Sequence, residues 1–92
     1  MSQTALYLKM LKFVGSAEQN ILQNLLKRFR TDANFKQSEL AEILNQSQSF
    51  VSKYESGERR LEILELRQIC QALNTSLSEF VAEFERQLNE SK

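Results

Sequence analysis

The 92-residue chain contains no histidine and no proline, one cysteine and two glycines. Without histidine there is no imidazole ligand for zinc and no imidazole to activate a nucleophile. The single thiol, Cys70, has no second cysteine to pair with, so an intramolecular disulfide is excluded and a reducing, cytoplasmic setting is expected. Cys70 stands beside Ile69 and near Leu66 and Leu73, which predicts a buried structural thiol rather than a reactive one. With Gly15 and Gly57 as its only glycines, the chain has few residues from which to build the turns of an all-β fold. No signal-peptide pattern and no membrane-spanning run is present, so no membrane partner is expected. These absences leave no catalytic constellation, no cofactor site and no metal site.

What the chain does have is ordinary for one small domain: 41% apolar and 26% charged residues, with apolar positions recurring at three and four spacings. That periodicity predicts an all-α fold. The net charge is zero, but it is unevenly divided. Residues 1–60 hold nine Lys or Arg against six Asp or Glu, and residues 61–92 hold three against six. The positive excess lies in the first part of the chain.

Five helices follow from the pattern. Ser16-Ala-Glu-Gln19 fits a capping box, followed by an apolar face of Ile21, Leu22, Leu25, Leu26 and Phe29. A second helix from Gln37 to Leu44 is expected to bury Leu40, Ala41, Ile43 and Leu44. Ser47 caps a third, running from Gln48 to about Ser56, and Gly57 ends it. A fourth, from Glu62 to Leu73, buries Leu66, Ile69, Cys70 and Leu73. Ser76-Leu-Ser-Glu79 is a further capping box, opening a fifth helix with Leu77, Phe80, Val81, Phe84 and Leu88 on one side. Asn34, Asn45 and Asn74 are candidate left-handed helix ends. The domain thus spans residues 16–88, with an extension at 1–15 and a tail at 89–92. In the extension, LYLKMLKFV fits a helix through Leu6, Met10 and Phe13 and alternates tolerably as a strand, with the helix the preferred reading.

The third helix is the odd one. In NQSQSFVSKYESGERR (45–60) only Val51 and Tyr54 form a thin inner edge, and Gln48, Ser49, Phe50, Ser52 and Lys53 are left to project outward. Two short helices joined at Asn45–Ser47 describe a helix-turn-helix, whose second helix touches the protein body along one edge. Gln and Lys pair with base edges in a major groove, Ser bonds base or phosphate, and an aromatic packs on a thymine methyl. Arg59 and Arg60 are suited to phosphates. Phe50 has three open assignments: core, dimer contact or base contact.

The runs Gln37-Ser-Glu-Leu40-Ala41 and Gln48-Ser-Phe-Val51-Ser52-Lys53-Tyr-Glu55-Ser-Gly57, then Arg59-Arg60 and Leu66-Arg-Gln-Ile69-Cys-Gln-Ala72-Leu73-Asn74, are similar to those of phage Cro and repressor proteins. Residues 16–84 thus resemble the Xre-like helix-turn-helix regulators over three-quarters of the chain. The resemblance implies a five-helix, lambda-repressor-like domain that binds double-stranded DNA half-sites as a homodimer. It implies that Gln37 contacts phosphate and braces the recognition helix, that Gln48, Ser49 and Lys53 read bases, and that Ser52 bonds backbone. It also implies a buried Arg30–Glu55 pair. The candidate DNA-binding set is therefore Gln37, Ser47, Gln48, Ser49, Phe50, Ser52, Lys53, Arg59 and Arg60. The chain departs from the pattern at Lys36, where a Ser or Thr cap is usual and a weakly capped helix is expected. It departs again at Gln46 and Leu61, where an apolar residue and a proline are common.

The sequence-specific regulator is the leading reading. Two alternatives remain: a DNA-binding antitoxin holding a toxin partner, and an interaction module that has lost DNA binding.

Overall fold

The computed structural model describes Gln3 and residues 17–91. The capping box at Ser16 and the apolar extension lie outside the described residues. Five helices and no strand are found within them: α1 (Gln19–Asp32), α2 (Gln37–Ile43), α3 (Gln48–Ser56), α4 (Ile63–Ala72) and α5 (Leu77–Glu90).

Each helix is bounded by local chemistry. Asn34, Asn45 and Asn74 have φ of 65°, 55° and 60°, so asparagine supplies the left-handed residue after α1, α2 and α4. Gly57 supplies it after α3 at φ 87°. A Cβ there would also meet the Gln23 side-chain amide at 2.1 Å. Ser47 Oγ accepts the Phe50 N–H at 3.3 Å and Ser76 Oγ accepts the Glu79 N–H at 3.1 Å.

The box at Ser76 is only half built. The Glu79 carboxylate accepts from Thr75 Oγ1 at 2.7 Å rather than reaching back to the cap's own N–H. At α2 the converse half is present, the Lys36 N–H donating to the Glu39 carboxylate at 2.8 Å. A lysine ammonium cannot accept a backbone N–H. Glu39 nevertheless satisfies one orphan donor, so this end is better held than Lys36 alone suggests. The Glu62 N–H donates to Glu65 at 2.9 Å in the same way at α4.

All five helices contribute to one core: Leu25 and Leu26 from α1, Leu40 and Ala41 from α2, Val51 and Tyr54 from α3, Ile69, Cys70 and Leu73 at α4, and Phe80 from α5. Phe29 and Phe80 lock α1 to α5 edge-to-face at 5.0 Å between centroids. Ala41 is 2% exposed and Leu40 and Val51 are fully buried where α2 crosses α3. A methyl at position 41 lets the two backbones approach. Burial pushes the Cys70 thiol up, as an inert core cysteine requires.

Two apolar residues lie elsewhere than the periodicity predicts. Ile43 is 53% exposed, because it stands roughly 100° around α2 from Leu44, the last residue of the inward stripe. Val81 is 39% exposed at the margin of α5, whose apolar stripe is wider than the surface that α1 and α4 offer it.

Candidate nucleic-acid interface

Helix α3 is attached to the body by Val51, Tyr54 and the side chain of Glu55. Glu55 closes the inner edge. Its carboxylate accepts Arg30 Nε at 2.7 Å and Arg30 Nη2 at 3.0 Å, with the two side chains 4% and 8% exposed. The third arm of the fork, Nη1, donates to the Phe35 carbonyl at 2.8 Å, so one guanidinium ties α1, the α1–α2 loop and α3 together. The Glu55 hydrogen bonds raise the Arg30 guanidinium above its ordinary value against the opposing cost of burial.

The pair extends toward the surface. Gln37 Nε2, at the start of α2, donates to Glu55 Oε1 at 3.1 Å, and its own Oε1 lies 3.5 Å from Gln48 Nε2, at the long limit of a hydrogen bond. A chain of polar groups therefore runs from buried Arg30 through Glu55 and Gln37 to exposed Gln48, the first residue of α3. Ser47 and Ser49 share a hydroxyl hydrogen bond at 3.1 Å across the cap. Gln48, Ser49 and Lys53 are exposed, and Ser52 is half-buried.

Phe50, left open by sequence, is half-buried against the core and meets the Tyr54 ring edge-on at 5.5 Å. The Tyr54 hydroxyl is buried with no hydrogen-bond partner among the described residues, and burial raises its pKa.

The two arginines after α3 part company. Arg60 is exposed. Arg59 is engaged: Nη1 and Nη2 hold the two Glu65 oxygens at 3.1 and 2.8 Å, Nη1 also donates to the Arg60 carbonyl at 3.1 Å, and the guanidinium carbon lies 4.6 Å from the centre of the Phe50 ring. Glu65 was invisible to sequence reasoning as a partner of this site. Its visible role was local, three residues into α4, and a contact across the α3–α4 loop has no spacing signature.

Helix α2, the bend at Leu44–Ser47 and the outward polar face of α3 define a helix-turn-helix. A helix-turn-helix family model matches residues 26–80. An XRE-family like protein from Pseudomonas syringae pv. tomato str. DC3000 is 35% identical over 85% of this chain and 95% of that one, with a TM-score of 0.76. The clp gene regulator ClgR from C. glutamicum is 28% identical over 75% of this chain and 88% of its own, at a TM-score of 0.67. A point mutant of the restriction-modification controller protein C.Esp1396I shares the fold, with 23% identity, a TM-score of 0.74 and coverage of 84% and 98%. No curated protein matches the chain at a significant level. The chain belongs to the XRE family of helix-turn-helix proteins, and is a DNA-binding transcription regulator rather than an enzyme. No helix among the described residues is long and apolar enough to cross a membrane.

Proposed function

We propose that the protein is a sequence-specific regulator that lays α3 in the major groove of a DNA half-site and acts as a homodimer. The observation that carries this reading is the division of α3. Its inner edge is committed to Val51, Tyr54 and the Glu55–Arg30 pair. Among the described residues the exposed Gln48, Ser49 and Lys53 make no side-chain contact beyond the Ser47–Ser49 cap bond and the long Gln37–Gln48 contact. Inward placement of Glu55 also removes the one carboxylate of this helix that would repel phosphate. Gln48 and Lys53 are the base readers, Ser49 and Ser52 bond base or backbone, and Gln37 and Arg60 hold phosphates while Gln37 braces Gln48. Lys36, exposed at the start of α2, adds a further cation for the backbone.

Selection of bound duplexes from a random pool, followed by titration of the selected and a scrambled duplex at several salt concentrations, tests the proposal. Specific binding appears as a preference for the selected duplex, with an affinity that falls steeply as salt rises because phosphate contacts release counterions. Equal, salt-insensitive affinity for both duplexes would reject it.

A further inference from the structure

Arg59 follows the recognition helix closely enough to be assigned to phosphate, yet both terminal nitrogens of its guanidinium are already engaged within the protein, although the side chain is 40% exposed. Both are on the Glu65 carboxylate, one also holds the Arg60 carbonyl, and the guanidinium carbon lies over the Phe50 ring at 4.6 Å from its centroid. Glu65 is itself anchored, because the same Oε1 that takes Arg59 Nη1 accepts the Glu62 N–H at 2.9 Å. The guanidinium is thus pinned to the first turn of α4, and the ring beneath it is pinned in turn against Tyr54 at 5.5 Å. Phe50 is the single aromatic on the outward side of α3, and it is half-buried, so its free edge has one orientation rather than several. A planar fork bound at two points with its central carbon over an aromatic ring is a geometry that arginine provides and lysine does not.

We infer that Arg59 is a positioning residue and not a phosphate ligand: held by Glu65, it fixes the Phe50 ring as an apolar reader of the groove, suited to a thymine methyl. The inference rests on the DNA-reading function proposed above. Its chemistry differs from that of Arg60, which is exposed and whose guanidinium makes no hydrogen bond among the described residues. Neutralised by Glu65, the Arg59 charge releases few counterions on binding. What its loss removes is discrimination, because a ring free to swing no longer presents one edge to one base.

The full-length protein, its selected duplex and a scrambled duplex provide the test. Arg59→Lys keeps the charge and loses the fork and its place over the ring. It should lower the ratio of selected to scrambled affinity by about fivefold or more, the low end of what one base contact discriminates. Its salt slope should match that of the wild type. Glu65→Gln should lose preference to the same degree, whereas Arg60→Ala should keep preference and reduce the slope by about one. Full preference in Arg59→Lys, or a slope reduced by about one in Arg59→Ala, would overturn the inference and return Arg59 to the phosphates. So would tighter binding of Glu65→Gln to both duplexes with preference intact. A readout without DNA keeps the two proposals separate. In the free protein the Arg59 side-chain protons should be shifted upfield by the Phe50 ring current, and Glu65→Gln should abolish that shift. Absence of the shift in the wild type, or its persistence in the variant, removes the clamp whatever the protein binds. Failure of the wild type to prefer its selected duplex removes the DNA-reading function instead.

Discussion

A carboxylate near the end of a helix that faces a polyanion is unfavourable twice over, through repulsion outside and desolvation inside. Glu55 escapes both by taking two nitrogens of Arg30 and one of Gln37, at 2.7, 3.0 and 3.1 Å. Removing either member of the ion pair strands a buried charge, so Arg30→Met and Glu55→Gln should each cost roughly 3–5 kcal/mol in urea melts. The double variant should cost less than the sum, because the partners share one interaction. Additive losses of about half a kcal/mol each, typical of surface positions, would mean that the pair does not hold α3. On the exposed side, Gln48→Ala and Lys53→Ala should relax sequence preference, each by roughly 1–3 kcal/mol of discrimination. Arg60→Ala should weaken binding to every duplex alike. A Lys53→Ala protein with undiminished preference would reverse these roles.

Helix ends were the most legible elements in the sequence, because a left-handed residue or a hydroxyl cap acts within three or four positions. Asn34, Asn45, Asn74 and Gly57 all have positive φ, and Ser47 and Ser76 both cap. Ile43 and Val81 were misread because periodicity tells which residues share a face, not how much neighbouring surface is available to cover it. In the candidate site, the residues of α3 could be named from their polarity alone. The Arg59–Glu65 contact could not, since it depends on how a loop folds back. The long-range contact of Arg28 with Glu83 was equally hidden, whereas the partners of Glu83 three and four residues on along α5 follow helical spacing. On α5, Glu83 is bonded by Arg86 and Gln87 and reached from α1 by Arg28 at 3.4 Å. Hydrogen bonds from Arg86 first, then from Gln87, lower its pKa from 4.5 to about 2. A lowered carboxylate stabilises the fold above its ordinary pKa, and that contribution fades as the pH falls from about 4.5 toward about 2. A carboxyl-detected NMR titration should find Glu83 still ionised at pH 3.5, where an ordinary glutamate is mostly protonated. A midpoint near 4.5 would show the network to be open in solution.

At the scale of the whole molecule, one domain of this size offers a small surface to DNA, and helix-turn-helix proteins read paired half-sites about one helical turn apart. We expect a dimer, with the end of α5 around Leu88 and the apolar residues before Gly15 as its contacts. Light scattering on the full chain at high micromolar concentration, with and without duplex, should give twice the monomer mass. Leu88→Glu should lower that mass if α5 takes part. A monomer under all these conditions would exclude the dimer and leave each half-site bound singly.

The split personality of α3 also bears on how such a protein changes its target over evolutionary time. Its fold-determining residues, Val51, Tyr54 and Glu55, are inside, and Gln48, Ser49 and Lys53 are outside with little structural duty. New letters can therefore be written on the outer row without renegotiating the inner one. Phe50 is the exception, half in each row and tethered through Arg59 to α4. A transplant of the outer row from a relative should carry its DNA preference across at Gln48, Ser49 and Lys53. At position 50 the donor's aromatic, or its absence, has to arrive together with the residues at 59 and 65, as a heritable unit of three.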